Sequence, residues 1–129
     1  MIKTSAQIVE SIKANINQVT VDNLAENLAK NIVLIDVREP DEFKESHIAG
    51  SVNFPRGVLE MQLDTHPEFK GAESPLEEMD KFPIYLICRS GARSALAAES
   101  LQRMGFSNVL SVTGGMMEWS KKGYHVTVS

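Results

Sequence analysis

The stretch "YLICRSGARSALAAES", Tyr85 to Ser100, holds the only cysteine in the chain. Apolar residues lead into Cys88, Arg89 and Arg93 come after it, and an alanine- and leucine-rich helical pattern begins at once. A short apolar run without alternation suits a strand covered on both faces. A strand that passes directly into a helix is the repeating unit of an α/β sheet, and in such sheets ligands bind beyond the carboxyl ends of the strands. Cys88 stands at such an end.

The same alternation extends outward in both directions. Upstream, "NIVLIDV" (Asn31–Val37) and "SVNFP" (Ser51–Pro55) read as strands, and "PDEFKES" between them as a short helix with Pro40 in its first turn. Downstream, "NVLSV" (Asn108–Val112) reads as a strand, "GGMMEWSKKG" as a short helix, and "HVTVS" (His125–Ser129) as an edge strand. Ala97, Ala98, Leu101 and Met104 share one helical face that Gly105 terminates. Ser74, Pro75 and Glu77 have the order of an N-cap, a first-turn proline and a capping-box partner. Near the N-terminus, Ile8, Val9, Ile12 and Ile16 form a helical stripe behind a Thr4/Gln7 capping box, and Val21, Leu24, Ala25 and Leu28 form a second. Residues Arg56 to Glu73 show only weak periodicity. Strands alternating with helices predict an α/β domain with a mostly parallel sheet.

Composition narrows the function. The 129 residues are 43% hydrophobic and 23% charged, which fits one globular domain. A net charge of -4 argues against general nucleic-acid or anionic-membrane binding. One cysteine permits no internal disulfide and no cysteine-based metal cluster, and His47, His66 and His125 lack metal-ligand spacing. No metal is expected. No apolar stretch has signal-peptide or membrane-spanning length, so a reducing, cytoplasmic setting is expected.

A lone cysteine on an apolar strand is commonly an inert core residue. The residues after Cys88 point elsewhere. Gly91 allows a left-handed kink, and Ser90 and Ala92 are small enough for a tight curl. The helix then starts near Arg93 and Ser94, so its free N–H groups face the loop. The thiolate, not the thiol, is the nucleophile. A helix terminus supplies only about 0.3–1 kcal/mol toward an anion, so loop amides and the two arginines are expected to supply the rest.

"CRSGARS" (Cys88–Ser94), with "LIDVREPDEFKESHIAGSVNFP" (Leu34–Pro55) before it and "TGGMMEW" (Thr113–Trp119) after it, resembles the rhodanese-like sulfurtransferases. The resemblance runs from about Val19 to Gly123. It implies a central five-stranded parallel sheet flanked by helices, with residues 1–17 as an amphipathic helical extension and 18–129 as the rhodanese domain. It implies that Cys88 forms a persulfide and that Arg89, Ser90, Gly91, Ala92, Arg93 and Ser94 cradle it. Asp36, Arg38 and His47 match positions that secure the fold near the site. Gly114 and Gly115 match the turn before the last helix, and Trp119 a packing position.

The implied activity moves sulfane sulfur from a small donor such as thiosulfate to cyanide, a thiol or a protein acceptor, without a cofactor. A persulfide carrier or partner-binding module with little turnover is the alternative. A related phosphatase is a weaker one. Such phosphatases carry a Cys-x5-Arg loop, whereas Cys88 to Arg93 is Cys-x4-Arg, a ring sized for one sulfur atom rather than a tetrahedral oxyanion.

Overall fold

Unbroken apolar runs need cover on both faces, and the chain folds to provide it. In the computed structural model, which describes residues 1–128, β2 (Val33–Asp36) and β4 (Ile84–Ile87) are buried at every position and lie side by side. β3 (Val52–Asn53) flanks β2, and β5 (Val109–Val112) flanks β4. Beyond β5 lies β1 (Asn17–Val19), giving the order β1-β5-β4-β2-β3 with every pairing parallel. The five-stranded parallel α/β sheet is as expected.

Side chains alternate between two cores. On one face Val33, Ile35, Ile84, Leu86 and Val109 pack under α1 (Ser5–Lys13), α4 (Leu59–Gln62), α5 (Pro75–Met79) and α6 (Ala92–Met104). On the other, Leu34, Tyr85, Ile87 and Val112 meet α2 (Val21–Asn27) and α7 (Gly115–Lys121), which contributes the buried Met116 and Trp119. The small face of α6, with Ala95, Ala97 and Ala98 fully buried, lets that helix sit close over β4 and β5. α3 (Pro40–Glu45) links β2 to β3 and buries no residue.

The caps match the sequence in part. Thr4 and Gln7 make the reciprocal capping box of α1, and the Asn23 amide donates to Thr20 Oγ1 at 3.0 Å to start α2. Ser74, expected to cap α5, makes no side-chain cap bond, so the box with Glu77 does not form. Val9, Ile12 and Ile16 enter the core from the N-terminal stripe, but Ile8 remains 41% exposed, as does Met104 at 40%. β1 was not expected, having only one half-buried residue. The expected edge strand at His125–Ser129 reduces to one antiparallel bridge between Thr127 and His47, and Ser129 lies outside the described residues. The weakly periodic segment Arg56–Glu73 holds a 3-10 turn (Arg56–Val58), α4, a second 3-10 turn (Leu63–Thr65) and then turns and bends, pieces too short to carry a helical stripe.

That segment buries His66, which packs against the rings of Phe54 and Phe69. Burial pushes its imidazole below the ordinary 6.5, with Glu68 opposing. The unfolded chain therefore binds this proton more readily than the folded one. The neutral ring's contribution is complete above pH 6.5 and is lost as pH falls toward the lowered folded value. Melting at about pH 7.5 and about pH 5 should show a smaller acid loss for His66→Leu than for the parent. Equal losses would exclude His66 as a contributor.

Candidate active site

Three polar contacts, from Gly91 and Ser94, meet the sulfur of Cys88. β4 delivers the residue to the carboxyl edge of the sheet, where it is 1% exposed. Gly91 adopts φ 112°, a conformation glycine takes without a Cβ penalty, and this curls the chain back. The amides of Gly91 and Ser94 then donate to Cys88 Sγ at 3.1 and 3.4 Å. The thiol in turn donates to Ser94 Oγ at 3.6 Å. Between those two amides, the N–H groups of Ala92 and Arg93 have no acceptor among the described residues, as expected for a helix start. The arrangement is a small anion cradle wrapped around one sulfur atom.

The loop is backed by α7. The Met116 amide donates to the Cys88 carbonyl at 2.8 Å, and the Met117 amide to that of Arg89 at 3.0 Å. Gly115, at φ 54°, makes this approach possible: a Cβ there would lie 2.3 Å from the Cys88 carbonyl oxygen and 2.6 Å from the Arg89 carbonyl. Both carbonyls are tied behind the loop, on the side away from the Gly91 and Ser94 amides that donate to the sulfur.

The arginines divide. Arg93 is held by Glu42 of α3 in a bidentate pair, with Nη1 to Oε1 at 2.7 Å and Nη2 to Oε2 at 3.0 Å. The guanidinium hydrogen bonds hold the Glu42 carboxyl down at about 2, against the opposing effect of burial. Arg93 is therefore largely neutralised. Arg89 is exposed and has no ion-pair or hydrogen-bond partner for its side chain among the described residues, so it is the free cation of the loop.

Asp36 and Arg38 lie buried at the end of β2. Arg38 Nε and Nη2 contact both carboxylate oxygens at 2.8–3.1 Å, and Nη2 also donates to the Ser46 carbonyl at 2.7 Å. Asn53 Nδ2 donates to the carbonyls of both residues, tying β3 to this corner. His47 stacks on Phe43 at 3.8 Å, its Nδ1 lies 2.8 Å from the Phe43 carbonyl, and its backbone pairs with Thr127. None of the three bonds to Cys88 Sγ.

Two site residues escaped the sequence reading. Ser111 on β5 places its hydroxyl 2.8 Å from Ser94 Oγ; its signal was a hydroxyl inside an otherwise apolar strand. Glu42 had no local signal, because its partner lies 51 positions away.

A cleft of about 570 Å³ opens beside the loop between Ser5, Val9 and Lys13 of α1 and Ser90, Ala92 and Leu96. Another, of about 410 Å³, lies at the opposite strand ends near Val33 and Phe82 and includes none of these groups. Among the described residues no cluster of histidine, cysteine, aspartate and glutamate could hold a metal, and no helix is long and apolar enough to cross a membrane.

The family model described as the rhodanese-like domain matches residues 20–122. The chain belongs to the rhodanese-like domain family. This rhodanese-like chain is 44% identical over 97 residues to a putative mitochondrial thiosulfate sulfurtransferase of Schizosaccharomyces pombe, a match covering 72% of this chain and 66% of that one. It is 36% identical over 93 residues to a putative sulfur carrier protein of Bacillus subtilis, covering 72% of this chain and 44% of the relative. It thus spans under two thirds of the length of each of these curated relatives. Among solved structures, a Rhodopseudomonas palustris protein called a possible tyrosine phosphatase superimposes with a TM-score of 0.80 at 27% identity, covering 98% of this chain and 96% of that one.

Proposed function

We propose that this rhodanese-like domain transfers sulfane sulfur through a persulfide on Cys88. The observation that carries the reading is the pair of amides, from Gly91 and Ser94, donating to a sulfur at the start of α6. In the first step the Cys88 thiolate attacks the outer sulfur of a donor such as thiosulfate. The bond between that sulfur and the sulfonate sulfur breaks, and its electron pair leaves with sulfite. The cradle's remaining amides stabilise the negative terminal sulfur of the persulfide. In the second step an acceptor thiolate, or cyanide, attacks the terminal sulfur, and the electron pair of the sulfur–sulfur bond returns to Cys88.

With one cysteine in the chain, the acceptor comes from outside. Residues 1–17 precede the matched span and supply α1, a wall of the cleft along which an acceptor thiol would approach. An unpaired reactive thiol suits a reducing compartment, which supports a cytoplasmic setting. A carrier with little turnover is the second reading, favoured by the near-complete burial of Cys88 and by the relative called a sulfur carrier. Phosphoryl transfer is disfavoured by the six-residue span from Cys88 to Arg93.

Intact-mass analysis tests these readings together. Thiosulfate should add one sulfur atom to the protein and a thiol acceptor should remove it, with repeated turnover marking an enzyme and a stable adduct marking a carrier. No sulfur gain, with Cys88-dependent hydrolysis of an aryl phosphate, would overturn both.

The Arg93–Glu42 pair gives a further expectation. Glu42→Gln removes the counter-charge and returns the Arg93 cation to the loop. Because the pair is part-exposed, the gain for an anionic donor is about two- to fivefold in KM, with kcat little changed. The gain should shrink as salt rises. An unchanged or raised KM at low salt would show that Glu42 does not restrain the loop charge.

A further inference from the structure

Ser94 Oγ has three neighbours: Cys88 Sγ at 3.6 Å, the Gly91 carbonyl at 3.2 Å and Ser111 Oγ at 2.8 Å. Ser94 is fully buried and Ser111 is 2% exposed. Ser111 Oγ has no other partner among the described residues. A buried hydroxyl left without an acceptor for its hydrogen is costly. Ser94 has the Gly91 carbonyl available for its own hydrogen, which favours Ser111 as the donor and Ser94 as the acceptor.

The consequence appears when the thiol ionises. With Cys88 protonated, Ser94 accepts from both the thiol and Ser111 and donates to the Gly91 carbonyl. With Cys88 as thiolate, the thiol no longer donates, and the Ser94 hydrogen turns from the carbonyl to the anionic sulfur. Ser111 is then the only donor to Ser94, and its bond polarises the Ser94 hydroxyl toward the sulfur. The Ser111 bond is therefore worth more to the thiolate than to the thiol.

We propose that Ser111 is a positioning residue, whose hydroxyl acts through Ser94 to favour the nucleophilic form of Cys88. The inference rests on Cys88 being the reactive sulfur, but not on which donor or acceptor it serves. The charged groups around the thiol, namely Arg89, the Arg93–Glu42 pair and the Asp36–Arg38 pair, are the same in every variant below.

The test is the rate of iodoacetamide alkylation of Cys88 at neutral pH, with thiolate absorbance in the ultraviolet as a second readout. Ser111→Ala should be alkylated about three- to tenfold more slowly, the effect of losing one hydrogen bond in a polarised chain. Ser111→Thr, which keeps the hydroxyl, should recover most of that rate. In a Ser94→Ala background, Ser111→Ala should have no further effect, because the two hydroxyls act in series. Unchanged alkylation in Ser111→Ala would overturn the proposal. So would an undiminished effect of Ser111→Ala in the Ser94→Ala background, which also settles the matter if threonine proves too large for the site. Because alkylation needs no sulfur donor, failure of persulfide formation in the parent protein would count against the transfer reading alone.

Discussion

Cys88→Ser is expected to lose more than about a thousandfold in sulfur transfer while keeping the fold, since removing a covalent nucleophile removes the step itself. Serine occupies nearly the same space and its oxygen still accepts from the amides of Gly91 and Ser94, so the loop keeps its bonds. The stability change should remain within about 1–2 kcal/mol, the ordinary range for a substitution that leaves no buried polar group unpaired. Thiosulfate:cyanide turnover, circular dichroism and melting measured on one preparation would separate chemistry from folding. Full activity in a folded Cys88→Ser protein would end the persulfide mechanism.

Gly115→Ala should damage both stability and activity, for a reason outside the loop itself. The new Cβ would fall 2.3 Å from the Cys88 carbonyl oxygen and 2.6 Å from Arg89 backbone atoms, none of which is a flexible side-chain end. Left-handed backbone at φ 54° adds its own cost of roughly 1–2 kcal/mol for any residue with a Cβ. With overpacking of about 1–3 kcal/mol, the total reaches about 2–5 kcal/mol. The start of α7 must back away, and the bonds from Met116 and Met117 to the loop stretch or break. Gly123→Ala is the matched control: φ is 78°, but nothing lies within 4 Å of the added carbon. Thermal melting of the two variants, with transfer rates alongside, decides the matter. If Gly115→Ala melts no lower than Gly123→Ala, close approach to the loop is not what that glycine provides.

The sheet was legible where burial is complete. β2 and β4 are covered on both faces, so their apolar runs are unbroken and mark them plainly. β1 was hidden for the opposite reason. Asn17 and Gln18 are exposed, and the strand is held by parallel backbone pairing to β5, which side-chain pattern does not encode. His125 to Val128 erred the other way, with an alternating pattern but only a single bridge. Ile8 and Met104 sit on genuine helical stripes yet stay exposed, because periodicity gives the direction of a face and not the extent of the layer beneath it.

The Cys88 loop was legible because its glycine, its helix start and its sulfur lie within seven consecutive residues, Cys88 to Ser94. Its supports were not, because they arrive from elsewhere in the fold. Ser111 comes from β5 and Glu42 from α3, brought to the loop by the fold, while Gly115 was matched to the turn before the last helix without its contact with the Cys88 carbonyl. Glu42 also changed the reading of a residue already singled out. The second arginine, counted from sequence as a free charge, is half of an ion pair.

The attachment of the loop to α7 separates what this site inherits from what it can vary. The peptide planes at Cys88 and Arg89 are fixed from behind by backbone amides of Met116 and Met117, whatever side chains the loop carries. Arg89, Ser90 and Ala92 are exposed. Substitutions at those three positions would change the charge and shape of the loop surface while leaving the backbone ties to α7 in place.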